Sequence, residues 1–260
     1  MNELILFSVS TIPVIILGTY IYKKDKNKEP AILLLKLFLG GILSTFLVFL
    51  ISGILSIFFP LLYADTSTLN TIQLIIYVFV GVALVEECSK WLFTYLIAYN
   101  DINFDEIYDM IVYSVFVALG FAFFENLLYV YEHGILTGLI RAISAVPGHA
   151  CDGIFMGYYL ALAKQSEING RKDLKIRHII SSLLVPIILH GIYDYCLFTN
   201  NDLFIIVFFI FVVLLYIYAM KKVKKLSAIH KKMKYIDNFC PNCGTKVDSN
   251  FCPKCGRENK

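Results

Sequence analysis

Residues 70–99 read NTIQLIIYVFVGVALVEECSKWLFTYLIAY, and only Glu86, Glu87 and Lys90 in that stretch carry charge. A helix rises about 1.5 Å per residue, and about 20 apolar residues cross the hydrocarbon core of a bilayer. The run therefore reads as a membrane span, long enough to tilt or to project beyond the lipid. Outward from it lie six further apolar runs at 3–22, 31–59, 107–132, 141–164, 178–198 and 202–219. The composition agrees: 58% of the 260 residues are hydrophobic and 17% are charged, too few to clothe a water-soluble domain of this size. The fold expected is an all-α polytopic membrane protein with about seven transmembrane helices. Met1-Asn2-Glu3 has no basic cluster ahead of the first run, so that run reads as a retained span rather than a cleaved signal. Pro147 and Gly148 suggest a break near the start of the fifth run.

Orientation follows from lysine and arginine in the loops. The first loop holds Lys23, Lys24, Lys26 and Lys28; the fifth holds Lys164, Arg171, Lys172, Lys175 and Arg177. Lys221, Lys222, Lys224 and Lys225 follow the last run. Loops two and six have no basic residue, and loop four has only Arg141 at its edge. Seven spans then place the N-terminus outside and the C-terminus in the cytoplasm, as an integral protein of the cytoplasmic membrane.

Ionisable groups inside spans are expensive and mark function by default. Glu86, Glu87 and Lys90 sit in the third span, Glu125 and Asn126 in the fourth, His149 and Asp152 in the fifth, and His190 and Asp194 in the sixth. Counted along each span from the loop charges, all four groups fall in one layer, central to outer leaflet. Glu86 and Lys90 share a helical face at i,i+4, whereas Glu87 points about 100° away. His190 and Asp194 are also i,i+4, and His149 and Asp152 are i,i+3, so each carboxylate can orient its histidine. Peptide hydrolysis needs an activated water, a stabilised oxyanion and a proton for the leaving amine. A glutamate shielded from water is a candidate base, and two histidines with a carboxylate can hold a metal or polarise a carbonyl directly. No His-Glu-x-x-His helix is present, and Asp109 has no partner segment to make an aspartyl dyad.

At these residues the chain resembles the PrsW-type intramembrane proteases, part of a wider membrane superfamily that includes the CAAX-prenyl endopeptidases. The resemblance covers residues 80–198 and rests on four motifs in order. They are Glu86-Glu87-x-x-Lys90, then Gly120-Phe121-Ala122-x-x-Glu125-Asn126-x-x-Tyr129, then Arg141 through Pro147-Gly148-His149 with Met156-Gly157-Tyr158-Tyr159, and finally Leu189-His190-Gly191-x-Tyr193-Asp194. The resemblance implies an intramembrane endopeptidase that cuts a single-span membrane protein, anti-sigma-factor-like, on the outer side. Carried over, Glu86, Glu87, Glu125, His149 and His190 are the catalytic candidates, supported by Lys90, Asn126, Asp152 and Asp194. His149 and His190 are also candidate ligands of an active-site metal, and metal-dependent and glutamate-only catalysis both stay open. The other function class the superfamily permits is a non-catalytic scaffold, receptor or immunity protein. A transporter is a weaker reading, because no repeat relates the two halves.

The tail adds a separate expectation. Cys240-Pro-Asn-Cys243-Gly and Cys252-Pro-Lys-Cys255-Gly present four thiolates at the spacing of a zinc ribbon. Two disulfides are the alternative, disfavoured on a reducing cytoplasmic side. The expected organisation is a protease-like membrane domain at 1–220, a basic juxtamembrane segment at 221–238 and a ribbon holding a structural Zn²⁺ at 239–257. The ribbon could dock a cytoplasmic protein partner or only cap the tail; too few basic residues surround it to favour nucleic acid.

Overall fold

The computed structural model describes residues 3–199, 201–229, 245 and 252–256. Helix α1 runs Glu3–Lys24 and α2 runs Ala31–Phe58. Two 3₁₀ turns lead to α3 (Thr71–Ile76), a π-helical stretch (Tyr77–Leu84) and α4 (Val85–Ala98), which together form one continuous rod. Then come α5 (Ile107–His133), the short α6 (Ile135–Ile143), α7 (Ala145–Ile168), α8 (Lys172–Phe198) and α9 (Asp202–Leu226). Among the described residues every element is helical, which is the all-α architecture expected.

Six of these rods are long and apolar enough to cross a membrane: α1, α2, α3–α4, α5, α8 and α9. The fifth run expected as a span divides at Ser144 into α6 and α7. Helix α7 is 24 residues long but carries His149, Asp152 and Lys164, and does not reach the hydropathy of the other six. Its position explains this: most of its residues from Ala145 to Ala163 are buried against protein, so they need not satisfy lipid. The break lies at Ser144 rather than at Pro147. Pro147 occupies the first turn of α7, where its missing N–H has no intrahelical partner to lose.

Helix α5 is the hub. In its most apolar window 78% of residues are buried, against 22–39% in the other five rods, so α5 is the centre and the others form its wall. It packs chiefly on α7 and α2, and α7 packs in turn on α8. Small residues bring the backbones together. A Cβ on Gly41 of α2 would lie 2.0 Å from the Val117 carbonyl oxygen, and one on Gly120 of α5 would lie 2.0 Å from that of Phe38. Lipid tails provide no hydrophobic drive between helices, so this close contact supplies the attraction. The outer faces are apolar: Leu203, Ile206, Phe209, Ile210 and Leu214 of α9 are all exposed. In water such a surface would aggregate; in lipid it is matched to its surroundings.

The basic segment expected at 221–238 is in part a continuation of α9, which runs unbroken through Lys221, Lys222, Lys224 and Lys225 to Leu226. Cys240 and Cys243 lie outside the described residues. Cys252 is buried and Cys255 exposed, and the Gly256 N–H donates to the Cys252 carbonyl at 2.9 Å.

Candidate active site

Glu86 and Glu87 lie in the first turn of α4, directly after the π-helical stretch. Such a stretch widens the helix locally and rotates the next turn, which here carries the two glutamates. Lys90 lies one turn on and is buried with them. Its Nζ is 2.6 Å from Glu87 Oε1 and 3.6 Å from Glu86 Oε2, so the i,i+3 pair is tighter than the i,i+4 pair. Both carboxylates converge on the one ammonium, despite leaving the helix in different directions. The Lys90 ammonium also sits 4.2 Å from the centre of the Phe121 ring on α5.

Helix α8 brings His190 to the same point. Its Nδ1 is 2.8 Å from Glu87 Oε1, and its Nε2 is 3.5 Å from Asp194 Oδ2 and 3.8 Å from Glu86 Oε2. A Cβ on the neighbouring Gly191 would fall 2.4 Å from the Phe79 ring, so this glycine lets α8 close on the π-helical stretch. One turn along α4, the Trp91 indole donates to Ser182 Oγ at 2.8 Å and ties α4 to α8 again.

Helix α7 supplies His149 from the opposite side. Its Nδ1 faces the Lys90 ammonium at 3.1 Å, and its Nε2 faces Glu125 Oε2 at 2.8 Å. An ammonium can only donate and a carboxylate only accept. In the neutral ring, Nδ1 is therefore the acceptor and Nε2 carries the hydrogen. The two histidine rings pack edge to face with centroids 5.3 Å apart. Glu125 is clamped from beyond by Arg141 of α6, with Nη2 to Oε2 at 2.6 Å. Arg141 Nε also donates to Asn126 Oδ1 at 3.2 Å, and its guanidinium lies 3.9 Å from the centre of the Tyr129 ring.

The expected groups on four helices thus meet in one place, with one change of partner and one unexpected residue. Asp152 does not reach its helix neighbour His149; its Oδ2 lies 4.0 Å from Nδ1 of His190. Arg141, read from sequence as a charge at a loop edge and as the start of the third motif but not as a site residue, holds both Glu125 and Asn126. The signal for it is present in the sequence: a lone arginine between two spans that each carry buried polar groups.

The donor set can be tested against a metal ion. One ligand atom from each of Glu86, Glu87, His149 and His190 falls within 4.8 Å of all the others, and all four residues are buried. The Oε2 atoms of Glu86 and Glu87 are buried without a hydrogen-bond partner. Orphaned buried acceptors call for an explanation, and two imidazoles with two carboxylates are ligands that zinc and other borderline divalent ions accept. The residues fit such an ion.

The PrsW family model, described as intramembrane metalloprotease, matches residues 29–220. The chain is 36% identical over 222 residues to a "Protease PrsW" of Oceanobacillus iheyensis, covering 85% of this chain and 96% of the relative. A "Protease PrsW" of Clostridioides difficile is 32% identical over 237 residues, covering 89% and 95% of the two chains. That of Bacillus subtilis is 31% identical over 226 residues, covering 86% and 97%. No solved structure matches the chain.

Proposed function

The chain belongs to the PrsW family of intramembrane metalloproteases and is an intramembrane protease, and from that premise we propose that Glu86, Glu87, Glu125, His149 and His190 form its catalytic centre. The observation that carries this reading is the convergence of four buried donors from α4, α7 and α8 within 4.8 Å. Lipid is the protein's solvent and a membrane protein is its class of substrate.

The geometry supports different roles for the two glutamates in this reading. The Glu87 side chain is fully buried and held by Lys90 and His190 together. Glu86 is 11% exposed at its side chain, and its Oε2 makes no hydrogen bond. Glu86 is therefore the general base: it takes a proton from the attacking water and returns it to the leaving amine. Glu87 fixes the ring of His190. Arg141 and Glu125 fix the ring of His149 and its tautomer, a positioning role that acts through the imidazole. His149, His190 and Glu87 are the residues that would hold a divalent ion, and Lewis-acid polarisation of the scissile carbonyl is what such an ion supplies when bound.

The substrate in this reading is a single-span, anti-sigma-factor-like protein cut in the outer half of the bilayer. In this reading α7 also crosses, fifth in chain order, which makes seven crossings and puts the N-terminus outside and the C-terminus in the cytoplasm. The lysines at the ends of α1 and α9 and around the start of α8 support that orientation. In the same reading the tail cysteines Cys240, Cys243, Cys252 and Cys255 would hold a structural zinc, and the ribbon so formed would be the contact for a cytoplasmic protein partner. Gly256, at φ +68° and closing a turn on Cys252, is what a zinc knuckle requires there.

Separate Glu86→Gln, Glu87→Gln and His190→Ala variants test the catalytic centre. Each should insert and run as a monodisperse species in detergent, yet leave a co-expressed single-span substrate uncut. Undiminished cleavage by all three would remove the assignment.

A further inference from the structure

A second group of carboxylates lies at the far end of the bundle. Asp25 and Glu29 flank the turn between α1 and α2, and Asp109 lies in the first turn of α5. All three are buried, and a carboxylate oxygen from each falls within 4.8 Å of the other two. Sixteen positions of α5 separate Asp109 from Glu125, about 24 Å along the helix, so this group is independent of the catalytic centre.

Its surroundings are built to hold it. Asp109 Oδ2 accepts the backbone N–H groups of Asp105 at 3.0 Å and Glu106 at 2.6 Å. Tyr113, one turn on, donates its hydroxyl to Glu29 Oε2. Asn27 donates to Glu106 Oε1 at 2.5 Å, and Tyr108 to the Ile21 carbonyl at 3.1 Å. Of the two lysines in this turn, Lys26 is exposed, and Lys28 Nζ donates to the carbonyls of Tyr22 and Asp25 and lies over the Tyr22 ring.

What the protein does not supply is a partner for the remaining oxygen of Asp109. The residue is 1% exposed, and its Oδ1 is buried with no hydrogen-bond partner. Three buried carboxylates within 4.8 Å of one another crowd their oxygens into one small volume. A hard divalent cation relieves such crowding of negative charge, and an all-oxygen donor set without imidazole or thiolate selects the Ca²⁺ and Mg²⁺ class over zinc.

We propose that Asp25, Glu29 and Asp109 form a binding site for a hard divalent cation that staples the α1–α2 turn to the start of α5.

The test uses Ca²⁺ alone, which thiolates and imidazoles bind poorly. Full-length protein in detergent is dialysed to equilibrium against radiolabelled Ca²⁺, and its melting is followed with and without the ion. One saturable ion per chain and a calcium-dependent rise in melting temperature are expected. Glu29→Gln keeps an acceptor for Tyr113 and Asp109→Asn keeps one for the backbone amides. Each should weaken binding at least tenfold and abolish the calcium-dependent rise, while Glu87→Gln in the catalytic cluster leaves both intact. If one of the two variants fails to give a monodisperse protein, the other decides. Wild type without saturable binding up to about 1 mM, the weak end of protein calcium sites, would overturn the proposal. So would binding unchanged in the variants. Melting of wild type that ignores calcium, together with variants that melt higher than it does, would also overturn it by showing that the carboxylates share a proton instead.

Discussion

Lys90→Met is the substitution that discriminates most sharply among readings of the site. The methionine has nearly the length of the lysine and removes the charge. Lys90 is 2% exposed, and its Nζ lies 2.6 Å from Glu87 and 3.6 Å from Glu86. At an effective dielectric of about 20 these pairs attract by roughly 6 and 5 kcal/mol. The desolvation of a buried ammonium consumes several kcal/mol of that, and measured losses on truncating one partner of a buried pair are about 3–5 kcal/mol. A loss of about 3–5 kcal/mol is therefore expected, below the total stability of most proteins, so the variant should still insert. Equilibrium unfolding in mixed detergent micelles measures it. A Glu87→Gln and Lys90→Met double variant should recover part of the loss, because the uncompensated carboxylate is gone, with a coupling of about 1–3 kcal/mol. Cleavage should fall about 100-fold or more in both, since the His190 and His149 rings lose their shared anchor. A single variant within about 1 kcal/mol of wild type, or a double variant showing simple additivity, would refute a Lys90-centred network.

Three further outcomes are expected from the packing. Arg141→Ala should cost about 2–4 kcal/mol and depress cleavage, because it strips Glu125 of a 2.6 Å ion pair and Tyr129 of its cation; Arg141→Lys, lacking the fork that reaches Asn126, should rescue only in part, read by the same unfolding assay. Gly41→Ala and Gly120→Ala each place a methyl 2.0 Å from a carbonyl oxygen and should destabilise by about 3 kcal/mol or more, whereas Gly53→Ala, with open space around it, should be neutral or slightly stabilising when melting is compared. Truncation before Cys240 should remove one zinc per chain by elemental analysis and leave cleavage intact; an unchanged zinc count would mean that the cysteines do not bind it.

The borders of the rods are legible in the sequence because apolar runs and their breakers coincide. The run 31–59 follows Pro30 and forms Ala31–Phe58, and the run 202–219 follows Asn201, whose side chain caps Leu203 N in the structure. The π-helical stretch Tyr77–Leu84 is not legible, since no composition marks an i→i+5 ladder within a wholly apolar run. At the site, loop charges locate a common layer, but depth says nothing about rotation around each helix axis. That is why the i,i+3 spacing points Asp152 at His149, yet the carboxylate lies beside His190 across the helix interface. Asp25 and Glu29 are hidden for a different reason. They are interleaved with Lys23, Lys24, Lys26 and Lys28, and a segment read for its positive charge conceals the two acids that turn inward.

The gradient of exposure across the catalytic cluster gives it a direction. The side chains of Glu87 and Lys90 are 0% and 2% exposed and form its floor. Glu125 and Arg141 at 16%, Asp194 at 13% and Glu86 at 11% form a rim that is more open. On the proposed assignment a scissile peptide has to reach both water and Glu86, which favours an approach from the rim. On that side α6 offers Leu136, Leu139, Ile140 and Ile143 as an exposed apolar face beside Arg141. On that assignment a substrate helix arriving in lipid would dock on that face, which shares α6 with Arg141. On the proposed assignment, with Glu86 as base on the rim and the more tightly paired Glu87 on the floor, the two adjacent glutamates have separate tasks. In that reading one stays available to water and substrate, while the other holds His190. A single residue cannot satisfy both demands, and the roughly 100° between neighbouring side chains on a helix is what allows two residues to divide them.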